Sequence, residues 1–101
     1  MKEPADFSLG ELTGFMILKP IRAAIAESLL DHATLPEGKL IERALGILKE
    51  EGLTLPQKSA LEELRTLQEA GIIEPDPASA TSSYRLSDRG RPAAKRLFAR
   101  H

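Results

Sequence analysis

The chain lacks cysteine and tryptophan, and its only aromatic side chains are three phenylalanines and one tyrosine. Without thiols there are no disulfides and no thiolate metal sites, and a reducing cytoplasm is the natural compartment. Histidine is nearly absent too: His32 and His101, the last residue, cannot assemble a metal cluster or a Ser-His-acid group. His32 reads as a helix C-terminal residue favourable to the helix dipole. The adjacent pairs Glu50-Glu51 and Glu62-Glu63 fall on helices, where neighbours diverge by about 100° and cannot share a substrate. Gly10 and Gly14 stand alone, so no glycine loop cradles a phosphate. The longest early apolar run, Phe15-Met16-Ile17-Leu18, is too short for a membrane span or a signal-peptide core. The expectation is a cytoplasmic protein that is no enzyme and needs no cofactor, metal or membrane. With so few rings, Tyr84 and Phe98 are expected in the interior.

Positive charge is scarce until late in the chain. Residues 1 to 84 hold 8 Lys/Arg against 14 Asp/Glu, a balance of −6. Residues 85 to 101 hold Arg85, Arg89, Arg91, Lys95, Arg96 and Arg100 against Asp88 alone, a balance of +5. Such asymmetry suits a domain that presents one basic end to an acidic partner, nucleic acid above all, and equally a solvated basic tail. The 42% apolar and 29% charged residues in a chain of 101 fit one soluble globular domain with a modest core.

Residues 1–14 mix Pro4, Gly10 and charges without a sustained period and read as an irregular or short helical arm, leaving residues 15–101 as the domain. From Phe15, the residues Ile17, Leu18, Ile21, Ile25, Leu29 and Leu30 recur at helical spacing to about His32, with Pro20 in the first turn. Thr34-Leu35-Pro36-Glu37 has the form of a capping box, and Leu40, Ile41, Ala44, Leu45 and Leu48 follow as the apolar face of a second helix, Leu35 to Glu51. Gly52 stops it. The signal returns as Thr54-Leu55-Pro56-Gln57, opening a third helix over Leu55 to Ala70 with Leu61, Leu64 and Leu67 inward and Gly71 at its end. Two copies of a twenty-residue period cannot build a solenoid, so these are two similarly capped helices. Ile72-Ile73-Glu74 and Ser83-Tyr84-Arg85-Leu86 are short strand-prone runs, and the proline-rich stretch between them forms the loop of a hairpin. Ser87 caps a last helix through Ala93, Ala94, Leu97 and Phe98; Pro92 either distorts its first turn or delays its start to about Arg91.

Leu61-x-x-Leu64-x-x-Leu67-x-x-Ala70-Gly71-Ile72-Ile73, a variable loop, then Tyr84-x-Leu86-Ser87-x-x-Gly90-Arg91 resembles the segment carried by winged-helix regulators of the MarR and PadR types. The resemblance covers about forty residues. It implies a mainly α fold with a small β-hairpin, a winged helix-turn-helix in the order α-α-α-β-β-α. By that resemblance the leucine-rich helix is the recognition helix, the strands are the wing, and the partner is double-stranded DNA bound by a homodimer. The dimer surfaces expected are the first and last helices. The second helix, at about seventeen residues, is longer than such domains usually carry ahead of the recognition helix.

The residues placed at DNA in that mode are Gln57, Lys58, Ser59, Glu62 and Arg65 on the third helix, with Thr54 at its N-terminus. Ser82, Ser83 and Arg85 on the wing and Arg89 behind it complete the set. Gln reads adenine, and Arg and Lys read guanine or neutralise phosphate. Glu62, Glu63 and Glu69 oppose this, and the i,i+4 pairs Lys58/Glu62 and Arg65/Glu69 also fit a salt-laced solvent face. The alternative is a winged-helix module that binds another protein rather than DNA.

Overall fold

The computed structural model describes residues 6–79 and 82–99. Ser8 opens the first helix, α1 (Leu9–Ile17): its hydroxyl accepts the Glu11 N–H at 3.3 Å, while the Glu11 carboxylate accepts the Ser8 N–H at 2.9 Å. This reciprocal capping satisfies two donors that a helix start leaves open. Leu12 and Met16 on α1 are buried, so the expected boundary between arm and domain at residue 14 falls inside a helix that belongs to the core. The helix expected to run unbroken from Phe15 is two helices. Proline disfavours helical backbone in the residue before it, and Lys19 is extended (φ −134°, ψ 130°) ahead of α2 (Pro20–Asp31). His32 is the C-cap of α2.

The two Thr-Leu-Pro segments do not cap helices with their threonines. The N-caps of α3 (Glu37–Glu50) and α4 (Gln57–Glu69) are Pro36 and Pro56, neither making a side-chain cap. Thr34 instead donates its hydroxyl to the Tyr84 carbonyl at 3.3 Å, and Leu35–Pro36 is a strand, β1, that the sequence reading missed. Both helices end on a glycine in the left-handed region, Gly52 (φ 84°) and Gly71 (φ 78°). In each case the next N–H reaches back five residues, Leu53 to Leu48 at 2.8 Å and Ile72 to Leu67 at 3.0 Å, closing the carbonyl end of the helix.

The chain then forms β2 (Ile73–Pro75) and β3 (Ser83–Leu86). The sheet is antiparallel in the order β1-β3-β2, with Leu35 opposite Tyr84 on one side of β3 and Glu74 opposite Arg85 on the other. Pro36 and Pro75 both lie on edge strands, where a missing N–H is tolerated. The fold is therefore mainly helical with a small antiparallel sheet in a winged-helix-like arrangement, with one more helix and one more strand than the sequence reading gave it.

Ser87 joins the wing to α5 (Gly90–Leu97). Its hydroxyl accepts the Gly90 N–H at 2.9 Å and lies 2.5 Å from the Gly71 carbonyl oxygen, while its N–H donates to the Ile72 carbonyl at 3.0 Å. The helix starts at Gly90, so Pro92 falls in the first turn, where no N–H is required. The core is built from Met16 of α1, Ile25 and Leu29 of α2, Leu40, Ile41 and Leu48 of α3, Leu64 and Leu67 of α4, and Ile72 and Ile73. α5 lays Ala93 and Ala94 against α1 and α2. Tyr84 and Phe98 pack against this core and are half-buried.

Candidate nucleic-acid interface

α4 buries Ala60, Leu64 and Leu67, and the same periodicity turns Gln57, Lys58, Glu62, Arg65 and Glu69 to solvent. Among the described residues, neither Lys58 with Glu62 nor Arg65 with Glu69 closes to an ion pair, so the expected salt lacing of this face is not formed. Thr54 is exposed two residues before the N-cap, and Ser59 is half-buried on the flank that faces α2.

Glu63 does not belong to the outward row. Its carboxylate receives Arg22 Nε at 2.8 Å and Lys19 Nζ at 2.9 Å, at 14% exposure. Arg22 also donates to the Phe15 carbonyl at 3.1 Å and lies 4.2 Å from the centre of the Phe15 ring. One acidic residue thereby ties α4 to the corner between α1 and α2. Burial pushes the Glu63 carboxyl pKa up, but the hydrogen bonds and charges of Arg22 and Lys19 together outweigh it and hold it below its ordinary value of 4.5. The outward face of α4 then carries two cations and two anions rather than the two against three counted from the sequence.

The wing candidates separate. Ser82 is exposed, and its carbonyl accepts the Glu37 N–H at 3.0 Å, extending the β1 ladder into the start of α3. Ser83 is buried, with its hydroxyl 3.1 Å from that of Ser79, and is therefore removed from any surface contact. Arg85 is half-exposed but bonds Glu74, its cross-strand partner, at 2.7 Å, so its charge is already matched. Arg89 donates to the Ala70 carbonyl at 3.3 Å and packs over Gly71; it closes the C-terminal end of α4. The sequence placed both arginines at DNA because pairing across the sheet and back to a helix end leaves no local signature.

Tyr84 donates its hydroxyl to Glu37 at 3.3 Å. Burial first, then the charge of Glu37, raises its pKa above 10.0, while Arg65 acts in the opposite direction; Arg65 thus lies within electrostatic reach of β3. Asp76, at the start of the loop, accepts the Ala78 N–H at 3.0 Å, which holds its carboxyl below the ordinary 3.8. The exposed cations Arg91, Lys95 and Arg96 ride on α5, whose packing partners are α1 and α2. Arg100 lies outside the described residues.

Beside α4 runs a groove of about 350 Å³ lined by Lys19, Pro20, Ile21, Leu55, Ser59, Glu62 and Glu63. Immediately before Lys19 in the chain, the α1–α2 corner exposes Ile17 (57%) and Leu18 (72%). Among the described residues, no helix is long and apolar enough to cross a membrane. Comparisons with protein-family models, with curated proteins and with solved structures find no match to this chain.

Proposed function

We propose that the chain is a small winged-helix regulator that binds double-stranded DNA, with α4 entering the major groove and β2–β3 lying along the backbone. The observation that carries this reading is topological. α2, β1, α3, α4, β2 and β3 follow one another in winged-helix order, and they leave the row Gln57, Lys58, Glu62 and Arg65 outward on a helix held rigidly from behind. Lys58 and Arg65 are the groups that would meet phosphate or guanine, Gln57 is the adenine reader, and Ser82 is the remaining wing contact.

The affinity and its salt dependence follow from so small a set of cations. Two neutralised phosphates per chain give a log–log slope of about −1.8, so a fourfold rise in salt weakens binding by about tenfold per chain. Fluorescence anisotropy on genomic fragments at two salt concentrations measures this directly. Lys58→Glu and Arg65→Glu are expected each to abolish retention. Retention that survives both reversals, or none even at low salt, would rule the reading out.

A second reading, a winged-helix module that docks on another protein, is favoured by the apolar Ile17–Leu18 corner, which DNA contact through α4 does not use.

A further inference from the structure

The groove between α4 and the α1–α2 corner combines an apolar lining with charges of both signs. Pro20, Ile21 and Leu55 supply the apolar surface, and Lys19, Ser59 and Glu62 the polar groups. Small-molecule clefts are built this way, mostly apolar with a few polar groups that fix orientation, and a volume of about 350 Å³ lies at the lower end of their range.

The ion pairs at Glu63 leave one cation over. Arg22 Nε and Lys19 Nζ share the two oxygens of a single carboxylate, at 2.8 and 2.9 Å. Arg22 is largely buried and also bonded to the Phe15 carbonyl, so the surplus charge is presented by Lys19, whose side chain is 55% exposed. An ammonium has three donors, and Glu63 takes one of those on Lys19 while holding the group in place; two remain for a ligand. Opposite in sign, the Glu62 carboxylate is exposed and in no ion pair among the described residues, and the Ser59 hydroxyl one turn before it has no hydrogen-bond partner there.

These charges select the ligand. A simple anion drawn to Lys19 is repelled by Glu62, and a simple cation drawn to Glu62 is repelled by Lys19. A molecule that carries both charges and an apolar body matches both residues and the lining together. We infer that the groove binds a free amino acid with an apolar side chain: its carboxylate on Lys19, its ammonium on Glu62 beside the Ser59 hydroxyl, and its side chain against Pro20, Ile21 and Leu55. Lys19 and Glu62 are binding groups, and Glu63 is a positioning residue that acts through Lys19. The inference does not rest on the DNA-binding reading.

Isothermal titration calorimetry of the full chain without DNA tests it. The probes are L-valine, L-leucine and L-phenylalanine, with isocaproate and isopentylamine as leucine analogues that each lack one charge. At least one amino acid is expected to bind with a Kd of about a millimolar or tighter, and leucine is expected to bind about tenfold more tightly than either analogue. Glu62→Gln weakens amino-acid binding by about tenfold and removes the preference for leucine over isocaproate; Lys19→Gln does the same and removes the preference over isopentylamine. Lys19→Arg retains binding. Both side chains are exposed, and unchanged circular dichroism spectra verify that the variants fold. No binding by any of the three amino acids at about 10 mM, an analogue that binds as tightly as leucine, or amino-acid binding that both substitutions leave unchanged overturns the proposal.

Discussion

Gly90 is where the start of α5 meets the end of α4 most closely, and Gly90→Ala is the sharpest test of how this junction is built. A Cβ on residue 90 would lie 2.0 Å from the Ile72 carbonyl oxygen, 2.8 Å from its carbon and 3.0 Å from the Ile72 Cα. All three atoms are backbone, so no side chain can rotate away. To reach ordinary contact beyond 3.4 Å, the first turn of α5 must move by more than an ångström. That shift pulls against the Ser87 N–H bond to the Ile72 carbonyl and the Gly90 N–H bond to the Ser87 hydroxyl. Overpacking of this kind costs about 1–3 kcal/mol, and the upper end applies because the obstacle is main chain. The better helix propensity of alanine recovers little at the first helical position. For a domain of this size about 3 kcal/mol corresponds to a fall in Tm of roughly 10–25 °C. Gly46→Ala is the control: it lies inside α3 with nothing within 4 Å of the added methyl, and there the substitution is expected to stabilise by about 0.5–1 kcal/mol. Thermal and urea denaturation followed by circular dichroism measures both. A Gly90→Ala protein as stable as the parent would refute this account of the junction.

Glu63→Gln should destabilise by about 2–3 kcal/mol at neutral pH, since it leaves Arg22 largely buried with its charge unmatched. The Glu63 carboxyl ionises more readily in the folded state than in the unfolded one, so its contribution is complete above pH 4.5 and fades as pH falls through the lower folded value. The stability difference between parent and variant, followed by urea titration, is therefore expected to narrow on acidification; a gap that stays constant to low pH would count against the ion pair as its source. Ser87→Ala removes both the acceptor for Gly90 N–H and the donor to the Gly71 carbonyl, and a loss of about 1–2 kcal/mol in the same assay is expected. An unchanged midpoint would show that water replaces the hydroxyl.

What the sequence determined by itself is what neighbours along the chain decide. The stops at Gly52 and Gly71 are local, since a left-handed residue is needed there and glycine supplies it without steric penalty. The inward leucines of α4, the hairpin on either side of the proline-rich loop, and the helix after Ser87 follow from periodicity and turn composition in the same way. Thr34-Leu35-Pro36 and Thr54-Leu55-Pro56 mark the boundary of that power. The two are identical in sequence and both precede a helix, yet the first is a strand and the second is not. Only the arrival of β3 from fifty residues away decides this, because it offers its open edge to Leu35 and not to Leu55.

Tertiary structure decided the site as well. Glu63, Arg85 and Arg89 look like solvent-facing charges when read by spacing alone, and their partners Arg22, Glu74 and the Ala70 carbonyl are supplied by other elements or a distant turn. α1 entered the core for the same reason. Leu12 and Met16 are too few to declare a buried face within a polar segment, and only the presence of α2 and α5 on either side gives them something to be buried against.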